Sequence, residues 1–171
     1  NSMMNGSNMG LYVEGIQNAS VENNTITGNA LQGIVIYRSA DAKVTDNRVM
    51  NNKSDGILIH TASDKPKVRQ NTVTDNSGDG IKTDGISAPE VAENTVRSNN
   101  IGIYICRCGD SLINGNTTET NRNKGIYVGG NLNGNGASRD YFSTITGNTV
   151  KADRLSGILV FHAKADINKN N

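Results

Sequence analysis

A repeat of about 23 residues, marked by one glycine and two asparagines, constrains this chain more than any other feature. The glycines are Gly10, Gly33, Gly56, Gly80, Gly102, Gly125 and Gly157. One asparagine column runs Asn24, Asn47, Asn71, Asn94, Asn116, Asn148 and Asn170. A second runs Asn29, Asn52, Asn76, Asn99 and Asn121, with Asp153 in the sixth place. A fixed period of this size is the mark of a solenoid, in which each repeat stacks on its neighbours.

The residues between these markers give the strands. After each glycine comes an apolar residue: Leu11, Ile34, Ile57, Ile81, Ile103, Ile126 and Ile158. Two further on stand Val13, Ile36, Ile59, Thr83, Ile105, Val128 and Val160, the alternation of a strand with one buried face. Three residues before the first asparagine lie Val21, Val44, Val68, Val91, Ile113, Ile145 and Ile167. Two after it lie Ile26, Val49, Val73, Val96, Thr118 and Val150. No segment keeps a 3.6-residue period, so helices are excluded. The pattern predicts an all-β fold: a right-handed single-stranded parallel β-helix of about seven coils, with three short strands per coil. At about 4.8 Å per coil the rod is roughly 30 Å long. The glycine is expected in a turn conformation closed to other residues. The asparagines are expected to stack at inward-turning corners as scaffold.

The 171 residues suit a single domain with a substantial core. A net charge of +1 gives no general field for nucleic acid or an acidic membrane. No apolar run is long enough for a membrane-spanning helix, and no leader-like segment opens the chain. The abrupt start and the stop in mid-repeat read as a piece of a longer β-helix. Cys106 and Cys108 form a Cys-x-Cys; on a continuous strand both would face one way, as two free thiols. Gly125 to Asn148 spans 23 residues where the same stretch of the other complete coils spans 14 or 15, and the surplus is an inserted loop at 129–140. Its asparagine and aspartate oxygens are suitable Ca2+ ligands, although the calcium-binding pattern Gly-Gly-x-Gly-x-Asp is absent. No other metal or cofactor is implied.

If the first and third residues after each glycine face inward, the second and fourth face out. The outward rows read Tyr12, Val35, Leu58, Lys82, Tyr104, Tyr127, Leu159 and Glu14, Tyr37, His60, Asp84, Cys106, Gly129, Phe161. Four of the five tyrosines and one of the two histidines lie here. Arg38, Arg107 and His162 follow one step beyond. His60 and Asp84 share a row on adjacent coils, about 5 Å apart along the backbone. Lys82 precedes Asp84 by two residues, Tyr37 flanks His60 and Tyr104 flanks Lys82. A base, an acid and a cation in one place suit abstraction of the proton alpha to a sugar carboxylate. His60, Asp84, Lys82, Tyr37 and Tyr104 are therefore the candidate catalytic residues, with Asp84 orienting His60. Tyr12, Glu14, Arg38, Arg107, Tyr127 and His162 are candidate contacts to a polysaccharide. Hydrolysis by paired carboxylates fits less well. Glu14 and Asp84 are the acidic residues of that row and lie three coils apart, about 14 Å.

The run Asn47-Arg-Val-Met-Asn-Asn-Lys-Ser-Asp-Gly56-Ile-Leu-Ile resembles the right-handed β-helix repeat superfamily, which includes pectate lyases, alginate lyases, mannuronan C5-epimerases and phage tailspikes. Epimerase catalytic modules carry Tyr-Gly-Phe-Asp-Pro-His, followed one coil later by Asp-Gly-Phe-x-x-Asp. The matching stretches here are Asp55-Gly-Ile-Leu-Ile-His60 and Asp79-Gly-Ile-Lys-Thr-Asp84. His60 and Asp84 fall on the family's His and second Asp. Leu58, Ile59 and Asp55 replace its first Asp, its Pro and its Tyr. The resemblance implies epimerase or lyase chemistry on a uronate-containing polysaccharide, outside the cell or at a cell or virion surface. A glycan-binding tailspike, which would be a homotrimer, and a structural stalk without a site are the alternatives.

Overall fold

The computed structural model describes residues 2–61, 63–130 and 142–171. Most of the inserted loop therefore lies outside the described residues. The described residues form strands and turns and no helix, so none is long and apolar enough to cross a membrane. Three seven-stranded sheets run the length of the molecule, and every pairing is parallel between equivalent strands of consecutive coils. The first sheet holds the strands that follow the first asparagine column, such as Thr72–Thr74. The second holds those that follow the glycine: Leu11–Glu14, Ile34–Tyr37, Ile57–His60, Ile81–Asp84, Ile103–Cys106, Lys124–Gly129 and Ser156–Phe161. The third holds those before the asparagine, such as Lys67–Arg69. This is a parallel β-solenoid of seven coils, as the period predicts.

The alternation seen in the sequence becomes burial. Ile57 and Ile59 are buried while Leu58 and His60 are half-buried on the outside, and Ile81/Thr83 against Lys82/Asp84 repeats the pattern. The inward residues stack like on like along the axis, Ile34 under Ile57 under Ile81 under Ile103. Each fully buried isoleucine removes apolar surface worth roughly 1.5–3 kcal/mol from water.

The asparagines stack as expected, and their bonding has a direction. Asn71 donates from its backbone N–H and its Nδ2 to Asn94 Oδ1, at 2.9 and 3.0 Å. Its Nδ2 also reaches the Val44 and Arg69 carbonyls. Its own Oδ1 accepts the same two bonds from Asn47. Every buried polar atom of the side chain is thus satisfied by the neighbouring coils. Asp153 ends the second column and accepts from the Asn121 N–H and Nδ2.

The glycines work differently from the expectation. None of the repeat glycines has a positive φ. A Cβ at Gly56 would lie 2.7 Å from the Gly80 carbonyl oxygen and 2.5 Å from Val73 Cγ1. The glycine is there because the next coil leaves no room for a side chain. The left-handed corners lie elsewhere, above all just after six of the seven strands of the second sheet: Gly15, Arg38, Thr61, Gly85, Arg107 and His162, with φ between 50° and 69°. The corner at Arg107 also corrects the cysteine reading. It turns the chain, so Cys106 stays on the outer face, whereas Cys108 is buried against Thr83 Oγ1 at 3.4 Å. Both thiols are free.

Candidate functional site

The outer face of the second sheet gathers the candidate residues into two groups. The first spans coils 1 to 3. The Tyr37 and His60 rings lie 4.8 Å apart, tilted by 33°, because the two residues are register partners on adjacent strands. Arg38 folds back from the corner with its guanidinium 4.8 Å from the Tyr37 ring centre, a cation–π contact. His60 Nδ1 lies 3.2 Å from Thr61 Oγ1. Tyr12 donates its hydroxyl to Glu14 Oε2 at 3.0 Å, and desolvation together with that bond raises the Tyr12 phenol above its usual range. A cavity of ≈ 430 Å³ is lined by Met9, Tyr12, Gln32, Val35, Tyr37, Leu58, His60 and Thr61. Apolar Met9, Val35 and Leu58 stand there beside hydroxyl, amide and imidazole groups, a mixture suited to a small-molecule or sugar site.

The second group spans coils 4 to 6. Tyr104 and Tyr127 stack with centres 4.9 Å apart and planes 22° from parallel. Lys82 Nζ lies 5.3 Å from the Tyr104 ring centre, and Lys124 Nζ lies 5.2 Å from that of Tyr127. The result is an aromatic step with an ammonium against each ring. Burial, and then a hydrogen bond with Cys106, push the Tyr104 phenol well above the usual tyrosine range, so it keeps its proton. Behind this edge, Asp55 accepts the Asp79 backbone N–H at 2.8 Å. Burial raises the Asp55 carboxyl, and the nearby Lys82 charge acts against that rise.

Asp84 lies between the groups and is occupied. Arg107 donates Nε–H to Asp84 Oδ1 at 2.8 Å and an Nη2–H to Oδ2 at 2.7 Å. This bidentate pair raises the Arg107 guanidinium. Asp84 is in register with His60 as expected. Yet its carboxylate is engaged by Arg107 from the following coil, and the bonded neighbour of the His60 ring is Thr61. Tyr12, Glu14, Arg38 and Tyr127 sit on or beside the two groups. His162 does not: it packs edge-on against Phe161 at 4.1 Å, four coils from His60, or about 19 Å along the axis.

Sequence reasoning passes over Thr61, Met9, Gln32 and Lys124. Lys124 and Gln32 occupy the position before the repeat glycine, which the outward rows leave out. The strand of coil 6 begins at Lys124, one residue before its glycine, and that early start is what brings the ammonium onto the face. Among the described residues, no group of three or more His, Cys, Asp or Glu side chains is placed to hold a metal ion. The Ca2+ reading rests on the inserted loop, whose residues 131–140 lie outside the described ones.

The coil architecture and this decorated sheet define a β-helix protein with a ligand-sized groove on one face. The sequence matches the family described as right handed beta helix region over residues 1–96 and 63–171, and the chain belongs to that family. No curated protein sequence matches it. Among solved structures, a double mutant of the periplasmic alginate epimerase AlgG superposes with a TM-score of 0.77 at 20% identity, covering 98% of this chain and 49% of that one. The Azotobacter vinelandii mannuronan C-5 epimerase AlgE6 A-module gives 0.69 at 13% identity, over 96% and 54%. The AlgE4 A-module gives 0.60 at 10% identity, over 95% and 64%. At these identities the likeness is one of fold. The chain spans about half the length of AlgG and of the AlgE6 module.

Proposed function

We propose that the groove binds an acidic, uronate-containing polysaccharide lengthwise and abstracts the C5 proton of one sugar. The observation that carries this reading is the Tyr37–His60 pair within the ≈ 430 Å³ cavity, with Arg38 stacked on the tyrosine. His60 Nε2 takes the C5 proton, and the electron pair left on carbon spreads into the carboxylate. Arg38 neutralises that carboxylate, which is where charge develops in the transition state. Two outcomes follow from the same intermediate. If the Tyr37 phenol returns a proton to C5 from the opposite face, the sugar is epimerised. If the C4–O bond breaks as C4=C5 forms, the leaving oxygen takes the Tyr37 proton and the chain is cleaved. Lys82 and Lys124 contact the carboxylates of neighbouring sugars, and Tyr104 and Tyr127 stack on their rings. Asp84 acts through Arg107. The solved neighbours support this choice of substrate, since they are alginate and mannuronan epimerases, and AlgG is periplasmic. A location outside the cytoplasm is part of the proposal.

Polymannuronate and pectate incubated in deuterated water separate the outcomes. Deuterium at C5 without cleavage marks epimerisation, and unsaturated ends absorbing in the ultraviolet mark elimination. His60→Ala is expected to lower turnover by about 10²–10⁴-fold, the usual contribution of a positioned base. If polymannuronate, pectate and bacterial capsules give neither product, and His60→Ala leaves glycan binding unchanged, the reading is overturned.

The stacked Tyr104–Tyr127 pair with its two lysines favours a second reading, a glycan-binding surface without turnover. It predicts binding that Tyr127→Ala weakens, with no product from any uronate polymer.

A further inference from the structure

Thr61 stands out among the corners of the second sheet. That corner is left-handed in six of the seven coils; besides Thr61 it is filled by glycine at Gly15 and Gly85, by unbranched arginine at Arg38 and Arg107, and by His162. Thr61 has φ 55°, a region that a β-branched residue rarely occupies. Ladder bonds on both sides impose it: Thr61 N–H donates to the Asp84 carbonyl at 3.3 Å, and the Thr61 carbonyl accepts from Arg38 at 3.1 Å. The count of residues is also irregular here. Arg38 is followed directly by Ser39, and Ser39 bonds Ser63 on the next coil. From this corner to the next left-handed residue is four positions in coil 3, Thr61 to Lys65, against three in coils 1, 2, 4 and 5, as from Arg38 to Asp41 and from Gly85 to Ala88. A strained residue and a one-residue irregularity coincide beside the histidine that lines the cavity. Such features persist where the surrounding structure over-determines them, and they gather at functional sites.

The strained conformation leaves Thr61 Oγ1 3.2 Å from His60 Nδ1. We infer that Thr61 is a positioning residue: it accepts the His60 Nδ1–H and thereby turns an unprotonated Nε2 toward the cavity. Tyr37 packs on the imidazole and limits its rotation, and Thr61 selects the tautomer. The neighbouring carboxylate, Asp84, is held by Arg107 and does not compete for the ring N–H. This inference rests on the proposed role of His60 as base, but it can be tested without turnover.

The test is the tautomer of His60 in the neutral protein, read from long-range proton–nitrogen correlations of ¹⁵N-histidine-labelled protein. His162→Gln assigns the signals, since the chain has two histidines. The expected result is a protonated Nδ1 in the parent protein. Thr61→Ser keeps it, whereas Thr61→Val and Thr61→Gly shift the population toward Nε2–H. Valine retains the β-branch and removes the hydroxyl, so it separates bonding from strain. Thr61→Gly should fold, because Gly15 and Gly85 fill the same corner, and relief of strain should leave Tm unchanged or raise it by about 2–4 °C. An Nε2–H tautomer in the parent protein overturns the inference, as does a tautomer ratio that Thr61→Val and Thr61→Gly leave unchanged. Loss of activity in His60→Ala with no tautomer change in the Thr61 variants would leave the proposed function standing and remove this one.

Discussion

Two columns of side chains run parallel to the axis of this molecule, one residue per coil, and they obey opposite rules. The inner asparagine column repeats one residue seven times, from Asn24 to Asn170. The outer column on the second sheet reads Glu14, Tyr37, His60, Asp84, Cys106, Gly129, Phe161 and repeats nothing. Both have the same spacing and the same backbone. Inside, each amide must both donate to and accept from its copies, and only asparagine fits at every step. Outside, solvent satisfies whatever stands there, so each position is free to differ. Chemistry on a solenoid therefore collects where the repeat stops repeating.

Four substitutions test that contrast, from the largest effect to the smallest. His60→Ala should cost activity, about 3–5 kcal/mol of transition-state stabilisation, while Tm stays within a few degrees of the parent. A large loss of Tm would mean that the outer column is scaffold as well. Asn71→Ala should do the reverse. It strands the Asn47 backbone N–H, takes one of two acceptors from the Asn47 amide, and removes the side-chain bonds to Val44, Arg69 and Asn94, for a cost of about 2–4 kcal/mol in denaturant unfolding. Arg107→Gln should cost no more than about 1 kcal/mol, because the pair with Asp84 is partly exposed. A loss as large as that of Asn71→Ala would erase the distinction between inner and outer columns. Asp55→Asn should have the smallest effect. Burial raises the folded Asp55 carboxyl above its unfolded value, so the stability it contributes at low pH is lost as pH rises through the folded pKa. The variant should therefore have a slightly higher Tm than the parent at pH 7, and the difference should vanish in acid. A lower Tm at pH 7 would place Asp55 in a stabilising ion pair with Lys82.

Strand positions were legible in the sequence because alternation fixes which way a side chain points. The register of His60 with Asp84, of Lys82 with Tyr104, and of Tyr37 with His60 followed from counting alone. Corners were not legible. At φ near +50° a side chain leaves in a direction that alternation does not describe. Arg107 thus closes on Asp84, Thr61 meets His60, and Cys108 turns into the core, all three unforeseen. The glycine, expected to meet a conformational need, meets a steric one. Sequence spacing cannot separate the two, since both select the same residue; only the 2.7 Å approach of the next coil's carbonyl does.

The direction of the asparagine bonding has one more consequence. Asn116 and Asn148 are 32 residues apart, against 22 to 24 for the steps before them, yet their amides meet at 2.9 Å like any other pair. The column counts coils and is indifferent to the residues between them. A lineage can therefore lengthen one corner without disturbing the register of the outer side chains above or below it. In this architecture specificity can be rewritten by splicing, where most folds would have to be repacked.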